Sequence, residues 1–310
     1  MELIRGIHNL RPQHRGCVAT IGAFDGVHLG HQAVLQGLIA KGKAMGLPTT
    51  VVVFEPLPRE FFAPRQAPPR LMSFREKFLA LKQLGIDRVL RVRFDAHCRD
   101  MGASEFVRQV FVDGLGAKYI VMGDDSHFGH NREGDFAFLK QYGAHAGFEV
   151  SDTQTLVADE QRISSSRIRK ALQDSDFALA EQLLGRPYSI TGRVILGQQL
   201  GRTLGSPTAN VQLRRIQTAM SGVYAAQVHL RDGRRLNAVA NVGTRPTVGD
   251  LIKAILEVHI LDFKESLYGQ NIEVIFRHKI RDEQKFASLE ALKNQIHSDI
   301  DAAHAFFNKA

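Results

Sequence analysis

The chain lacks most features that mark secreted, membrane or redox-active proteins. Among its 310 residues are only two cysteines, Cys17 and Cys98, which form neither a CxxC pair nor a metal-ligand spacing, so we expect reduced thiols. It contains no run of about 18 apolar residues, and its N-terminus shows no charged segment followed by an apolar one. These absences predict a cytoplasmic protein without a membrane-spanning helix.

The chain also lacks any block of five or six basic residues, any internal repeat and any low-complexity segment. Its 40 Lys and Arg residues exceed its 32 Asp and Glu residues, which gives a formal charge of +8. Because these charges are dispersed, they favour phosphorylated small molecules as ligands, and we expect no nucleic-acid partner and no membrane partner. With 44% hydrophobic and 23% charged residues, the composition is that of a globular protein, and the length predicts two domains.

Strand and helix patterns alternate through the first half of the chain. Apolar runs predict strands at 17–21, 49–54, 88–94, 118–122 and 148–156, with helical periodicity between them. One helix begins at a capping box formed by Ser73 and Glu76, with Phe74 and Phe78 on its apolar stripe, and a proline-rich irregular loop precedes it. This alternation predicts an α/β domain with a doubly wound parallel sheet, whose ligands bind at the carboxyl ends of the strands.

A glycine-rich stretch follows the first of these strands, and two histidines lie at the start of the next helix. Gly22, Gly26 and Gly30 allow backbone N–H groups to approach an anion, and the helix N-terminus adds unpaired donors and a partial positive charge. His28 and His31 are three residues apart, so their imidazoles share a face and can stabilise charge on a transferring phosphoryl group. A tight turn with incidental histidines is the alternative interpretation, and a zinc site is disfavoured because no third ligand has a suitable spacing.

Two further polar stretches lie in the first half. The segment 123–129 follows a strand, and Asp125 within it can bond a ribose or a ring edge or simply stabilise a turn. The segment 162–169 combines serine hydroxyls with arginines at a helix start. It is suited to the outer phosphates of a nucleotide, although a plain N-cap with solvated arginines is also consistent with it.

The second half of the chain has a different pattern. From about residue 186, short β runs at 188–196, 222–230, 235–242, 253–261 and 270–279 are separated by glycine turns, which predicts a small antiparallel barrel. A final amphipathic helix is predicted from Ser288 to Phe307. Gly185 marks the expected domain boundary.

Two candidate chemical groups lie in this second half. The segment 201–210 is rich in glycine and ends with Thr208 and Asn210, whose hard oxygen atoms are suited to Mg²⁺, although an ordinary turn would have the same composition. Glu257 is an acid within an apolar strand, and it can be a general base or a salt-bridged carboxylate.

These motifs resemble, in order, those of the bacterial riboflavin kinase/FAD synthetase family. His28 to His31 resembles the HxGH signature of nucleotidyltransferases, and residues 163–169 resemble an Ile-Ser-Ser-Thr-x-Ile-Arg motif with Ser166 in place of Thr. Pro207 to Asn210 resembles the Pro-Thr-Ala-Asn signature of riboflavin kinases, preceded here by Ser206 instead of Phe. Ser126 stands where the family usually has an aromatic residue.

The resemblance implies two domains and two reactions. Residues 1–184 would form a Rossmann-like FMN adenylyltransferase (FAD synthetase) domain, and residues 185–310 a riboflavin kinase domain. The kinase would phosphorylate riboflavin with ATP to give FMN, and the first domain would transfer AMP from a second ATP to FMN to give FAD and pyrophosphate. Mg²⁺ would be the metal. The alternatives are a nucleotidyltransferase for another phosphorylated acceptor and a non-catalytic regulator that binds flavin or nucleotide.

The resemblance also implies roles for individual residues. His28, His31 and Glu257 would be catalytic, and Thr208 and Asn210 would hold the metal. The predicted nucleotide- and phosphate-binding residues are Gly22, Phe24, Asp25, Gly26, Gly30, Asp125, Arg162, Ser164, Ser165, Arg169, Gly201, Arg202 and Gly205.

Overall fold

The computed structural model describes residues 1–123, 126–153, 157–158, 161–197, 205–246 and 252–309. The chain divides into two compact units. The first comprises Met1–Ala67 and Phe74–Ile163, and the second comprises Pro68–Ser73 and Ser164–Ala310. The predicted boundary at 184/185 concerns functional domains and remains a prediction.

A six-stranded parallel sheet forms the centre of the first unit. Its strands are β1 (Glu2–Arg5), β2 (Cys17–Ile21), β3 (Thr49–Glu55), β4 (Arg88–Arg93), β5 (Ala117–Val121) and β6 (Glu149–Ser151). The spatial order is β1-β4-β3-β2-β5-β6. The chain proceeds from β2 towards one edge and later returns to add β5 and β6 on the other side. The direction reverses between β2 and β5, so the residues after these strands lie at the switch point where such sheets bind ligands.

Helices connect these strands and cover an apolar core. They are α1 (Leu29–Met45), α2 (Pro58–Phe62), α3 (Phe74–Leu84), α4 (Ala96–Asp100), α5 (Ala103–Phe106) and α6 (Phe136–Ala146). A π-helical turn, Val107–Gly114, continues α5. All five residues of β2 are buried, as are most of β3, which explains why both strands were recognisable as apolar runs. The described structure therefore confirms the predicted parallel α/β fold of this unit.

A short hairpin, β7 (Val157–Ala158) with β8 (Gln161–Arg162), ends the first unit. The second unit begins with α7 (Ser165–Gln173) and α8 (Phe177–Leu184). A closed six-stranded antiparallel barrel follows, in the order β10-β13-β12-β11-β14-β9. Its strands are β9 (Ser189–Ile195), β10 (Ala209–Gln212), β11 (Gly222–His229), β12 (Arg235–Pro246), β13 (Ile252–Ile260) and β14 (Asn271–Arg281).

The terminal helix α9 (Leu289–Lys309) packs on the outside of this barrel. Its Ala303 lies in an apolar cluster with Val223 and Val239 of the barrel wall. Asp299, which is 3% exposed, accepts two hydrogen bonds of 2.8 Å from the Arg281 guanidinium of β14. The predicted antiparallel barrel with a terminal helix is confirmed.

Candidate active sites

The turn after β2 has a strained backbone. Phe24 and Val27 have positive φ angles of 46° and 41°, and Gly26 between them has a φ of 87°. Non-glycine residues rarely adopt this region, and each one costs about 1–3 kcal/mol. Phe24, Asp25 and Val27 are all buried. Packing around the turn therefore maintains a conformation that the sequence would not adopt alone, at the switch point of the sheet.

His28 forms the N-cap of α1. Its Nδ1 accepts a hydrogen bond from the backbone N–H of His31 at 3.3 Å. Because Nδ1 accepts, the proton of the neutral ring lies on Nε2, which makes Nε2 the donor. The imidazoles of His28 and His31 stack with their centroids 3.6 Å apart and their planes 17° apart. The structure thus brings the two predicted histidines together, and their catalytic roles remain predictions.

His31 is held in its neutral form. Burial lowers its pKa well below 6.5, and the neighbouring His28 ring and the cations Lys77 and Arg162 lower the pKa further. Its Nδ1 is buried and has no hydrogen-bond partner within the part of the chain that the structure describes. A neutral imidazole with cations near it suits an anionic ligand, because the cations attract the anion and the imidazole can donate to it.

Lys77 of α3 was missed by the sequence analysis. It is 1% exposed, and its Nζ donates a hydrogen bond of 2.5 Å to the carbonyl oxygen of Ala23 in the strained turn. The predicted apolar stripe consists of Phe74, Phe78, Leu81 and Leu84. The structure buries Leu81 and leaves both aromatic rings half-buried, and it also buries Glu76 and Lys77. Helical periodicity does not predict that Lys77 is buried, because it assigns charged residues to the exposed face. Charged residues are rarely buried without a specific partner, and that partner is not visible in the periodicity.

Gly30 explains how the backbone reaches the His28 ring. A Cβ atom at Gly30 would lie 3.2 Å from Cε1 and Nδ1 of His28 and 3.5 Å from the carbonyl oxygen of Ile163. At Gly22 a Cβ atom would lie 3.0 Å from the Phe24 ring. Both predicted glycines therefore allow close packing around the turn.

The remaining predicted residues of the first half lie in several places. Arg162 lies on β8 of the first unit, and its charge acts on His31. Ser164 forms the N-cap of α7 and accepts a hydrogen bond of 3.3 Å from the backbone N–H of Arg167, while Arg169 donates its Nε–H to the carbonyl oxygen of Pro69 at 2.7 Å. Ser164, Ser165 and Arg169 belong to the second unit. Their phosphate-binding roles remain predictions, and Asp125 lies outside the described residues.

An exposed aromatic ring lies beyond the carboxyl end of β3. Phe62 on α2 is 62% exposed, and its ring centroid lies 5.7 Å from that of Phe94. The proline-rich composition predicts only an irregular loop here, although Pro58 suits the first turn of a helix. An exposed ring at this edge can stack on a planar ligand.

In the barrel, Asn210 and Glu257 lie directly opposite each other. The register pairs Asn210 of β10 with Glu257 of β13, so their side chains lie on the same face. A Cβ atom at Gly197 would overlap the Asn210 carboxamide, so the glycine leaves space for this side chain. The strand β10 was missed because its residues were interpreted as part of a turn. The structure nevertheless brings together the predicted base and a predicted metal ligand.

Thr208 lines a pocket of about 390 Å³ at the barrel. The pocket walls are mainly apolar, with Lys264 and Glu265 among the polar residues, and include Val194, Val258, Ile260, Phe263, Leu267 and Tyr268. Gly205 has a φ of 83°, which glycine adopts readily, and Ser206 is buried. Gly201 and Arg202 lie outside the described residues.

Within the described ranges, no helix is both long and apolar enough to cross a membrane. In the same part of the chain, no three His, Cys, Asp or Glu side chains group as a metal site.

Comparisons with known proteins cover almost the whole chain. The FAD synthetase family model matches residues 10–167, and the riboflavin kinase model matches residues 184–307. A bifunctional riboflavin kinase/FMN adenylyltransferase from Pseudomonas fluorescens is 53% identical over 305 residues, covering 98% of this chain and 97% of the relative. The protein of the same description from Escherichia coli K12 is 50% identical over 308 residues, covering 99% and 98%.

A solved structure has the same overall fold. The crystal structure of a protein described as a macrolide-efflux protein from Streptococcus pneumoniae has a TM-score of 0.76 and 30% identity, covering 97% of this chain and 98% of that one. The two family models and the relatives with about 50% identity indicate the same family. The folds of the two units are consistent with it. The chain belongs to the family of bifunctional riboflavin kinase/FMN adenylyltransferases.

Proposed function

We propose that the two reactions of this family use separate residues of the two units. Riboflavin and ATP give FMN and ADP, and FMN and a second ATP give FAD and pyrophosphate. We assign AMP transfer to the turn after β2 with His28 and His31, and riboflavin phosphorylation to Glu257 with Thr208 and Asn210. The observation that supports this assignment is that residues expected to serve the same reaction lie together: His28 stacks on His31, and Asn210 lies opposite Glu257.

In AMP transfer, an oxygen of the FMN phosphate attacks the α-phosphorus of ATP. The bond to the bridging oxygen breaks, and pyrophosphate leaves. The attacking oxygen is already ionised, so no general base is needed. Negative charge accumulates on the α-phosphoryl oxygens, where Nε2–H of His28 and the neutral imidazole of His31 donate hydrogen bonds. Lys77 and Arg162 make the surroundings positive, which favours both the triphosphate and the FMN phosphate.

The flavin ring of FMN stacks on Phe62 in this proposal. Support comes from the 62% exposure of this ring and from its position on α2, after the carboxyl end of β3. An offset aromatic stack contributes about 0.5–1.5 kcal/mol beyond the area that it buries. The ring is backed by Phe61 and Phe94, whose centroids lie 5.6 Å and 5.7 Å from its own, so it is already partly ordered before a ligand arrives.

In riboflavin phosphorylation, Glu257 accepts the proton of the ribityl 5′-hydroxyl as its oxygen attacks the γ-phosphorus of ATP. The bond to the β-γ bridging oxygen breaks, and ADP leaves. A positioned general base contributes about 10²–10⁴-fold. The cross-strand pairing sets the Cα atoms of Asn210 and Glu257 about 4.5–5.5 Å apart, so one substrate can meet both side chains.

Thr208 and Asn210 fit Mg²⁺ by the chemistry of their donors. Both supply uncharged hard oxygens, which this ion accepts together with waters and substrate phosphates. They lie two residues apart at the start of β10, and the glycine at 197 leaves space beside the Asn210 carboxamide. Bound Mg²⁺ would neutralise charge on the ATP phosphates.

The pocket beside Thr208 holds the adenosine of ATP in this proposal. Its volume of about 390 Å³ lies within the range of small-molecule sites, and its apolar walls, such as Val194, Val258 and Ile260, suit the faces of a purine. Thr208 at its edge would then lie between the nucleoside and the reacting phosphates.

The assignment is tested by separating the activities. We expect His28→Ala to lower FAD formation from FMN by about 10²-fold or more while FMN formation from riboflavin stays within twofold of wild type. Glu257→Gln should do the reverse, with a loss of about 10²-fold or more in FMN formation alone. Chromatography of riboflavin, FMN and FAD over time gives both rates. Loss of both activities in either variant would contradict separate sites.

Two further aspects belong to this proposal. Other phosphorylated acceptors and a non-catalytic regulator are not favoured, because both family models match along the chain. We also assign the chain to the cytoplasm, where ATP is available and where the buried cysteines Cys17 and Cys98 stay reduced. Fractionation of cells followed by detection of the chain tests this location.

A further inference from the structure

Three polar side chains form a row across the barrel. Asn210 of β10 is paired with Glu257 of β13, and Glu257 is paired with Asn241 of β12. Residues directly opposite each other on antiparallel strands point to the same face, with Cα atoms about 4.5–5.5 Å apart. Asn210 and Asn241 therefore flank Glu257 on its two sides. The roles assigned above use Asn210 and Glu257 and leave Asn241 without a function.

The row runs towards the face that the terminal helix covers. Asn241 is paired on its other side with Val223 of β11, and Val223 packs in one cluster with Val239 and with Ala303 of α9. Gly243 follows two residues after Asn241, on the same face, and a Cβ atom there would overlap the Glu283 carboxylate. A carboxylate near this end of the row repels phosphate. The ATP phosphates are therefore expected at the Asn210 end, and the uncharged acceptor at the Asn241 end.

Asn241 has an unsatisfied polar atom. Its Oδ1 is buried and has no hydrogen-bond partner anywhere in the described ranges. Buried polar atoms normally have partners, and an exception calls for a ligand or another explanation. A hydroxyl group can both donate to an amide oxygen and accept from an amide nitrogen, so it would satisfy either end of this carboxamide.

We propose that Asn241 binds the ribityl chain of riboflavin through a hydroxyl next to the reacting one. This inference rests on the proposed roles of Glu257 and Asn210. With Glu257 at the 5′-hydroxyl and the phosphates towards Asn210, the polyol runs over β12 and meets Asn241. One strand spacing, about 4.8 Å, separates the two contacts, which a single flexible polyol spans. Asn241 thus distinguishes a polyhydroxylated flavin from one with a plain alkyl chain.

The test compares two substrates in one variant. Riboflavin has hydroxyls along its side chain, whereas a flavin with a 5-hydroxypentyl chain keeps only the terminal acceptor. For Asn241→Ala we expect kcat/KM for phosphorylation of riboflavin to fall about tenfold, the usual effect of losing one hydrogen bond. For the hydroxypentyl flavin, kcat/KM of the variant should be within twofold of the wild-type value. Because both rates come from the same preparation, a partly unfolded sample lowers both and leaves their ratio unchanged.

Asn237→Ala is the matched control, because Asn237 lies on the same strand four residues earlier and is exposed. Asn237→Ala should leave kcat/KM for both substrates within twofold of the wild-type values. If Asn241→Ala lowers kcat/KM by the same factor for both substrates, the proposal is overturned, since Asn241 would then affect the position of Glu257 or the stability of the barrel. An unchanged rate with riboflavin would also overturn it. If the proposed role of Glu257 is itself wrong, this shows separately, because the Glu257→Gln variant then retains riboflavin kinase activity.

Discussion

Replacing Gly30 with alanine separates stability from catalysis at the turn after β2. Alanine is favoured over glycine within a helix by about 1 kcal/mol, so propensity alone predicts a more stable α1. The new Cβ atom, however, would lie 3.2 Å from Cε1 and Nδ1 of His28 and 3.5 Å from the Ile163 carbonyl oxygen. The His28 ring must then move by a few tenths of an ångström. That movement weakens its 3.3 Å hydrogen bond from His31 N–H, which is worth about 0.5–1.5 kcal/mol.

The two stability terms nearly cancel, so we expect the unfolding midpoint of Gly30→Ala to stay close to that of wild type. Catalysis should change more, because a 1 Å misplacement of a catalytic group can cost about 100-fold and a few tenths of an ångström about tenfold. The assay measures kcat for conversion of FMN to FAD, with FMN formation from riboflavin as an internal reference that should stay within twofold.

Gly37→Ala is the matched control, because Gly37 lies on the same helix, is exposed, and a Cβ atom there meets nothing within 4 Å. It should raise stability by up to about 1 kcal/mol and leave both activities unchanged. If Gly30→Ala makes FAD within twofold of the wild-type rate, then the position of the His28 ring does not control the reaction and the reasoning is refuted.

Three other predictions concern the same unit. Lys77→Met removes the ammonium that bonds the Ala23 carbonyl, and we expect about a tenfold or larger drop in the rate of FAD formation. The exposed Lys82→Met on the same helix should have no effect. Phe62→Ala should raise KM for FMN by up to about tenfold through loss of stacking, without changing KM for riboflavin. The pKa of His31 is depressed in the folded state, so below pH 6.5 the unfolded chain binds more protons than the folded chain. The free energy of unfolding should therefore decrease as the pH is lowered below 6.5, by at most about 1.4 kcal/mol per pH unit. Urea unfolding at pH 7.5 and 5.5 should show a smaller pH dependence for His31→Gln, and equal dependence would contradict the assigned environment.

The parts of the fold that the sequence predicted are those with strong apolar patterns. β2 and β3 are buried almost completely, so their runs of Val, Ile and Ala indicated central parallel strands. β1 was missed because Glu2–Arg5 is a short edge strand with charged ends. β10 was missed because Ala209–Gln212 follows a glycine-rich segment and only its pairing with β9 and β13 makes it a strand.

The site shows a similar division. His28 and His31 were predictable because a helix start and a three-residue spacing determine that they share a face, and the rings indeed stack. Lys77 was not predictable, since its role depends on a tertiary contact between α3 and the turn after β2. The stretch that begins at Asn241 resembles a riboflavin kinase loop, but the register that sets Asn241 opposite Glu257 was not predictable either. Local periodicity carries no information about such long-range partners.

The most direct test of the central claim, that each reaction has its own residues, mixes two variants. His28→Ala and Glu257→Gln are incubated together with riboflavin, ATP and Mg²⁺, and FAD is followed by chromatography. Neither variant alone should convert riboflavin to FAD at an appreciable rate, whereas the mixture should make FAD after a lag in which FMN accumulates and is released. A mixture that makes no FAD, although each variant retains its one expected activity with added substrate, would contradict the account of two independently working sites.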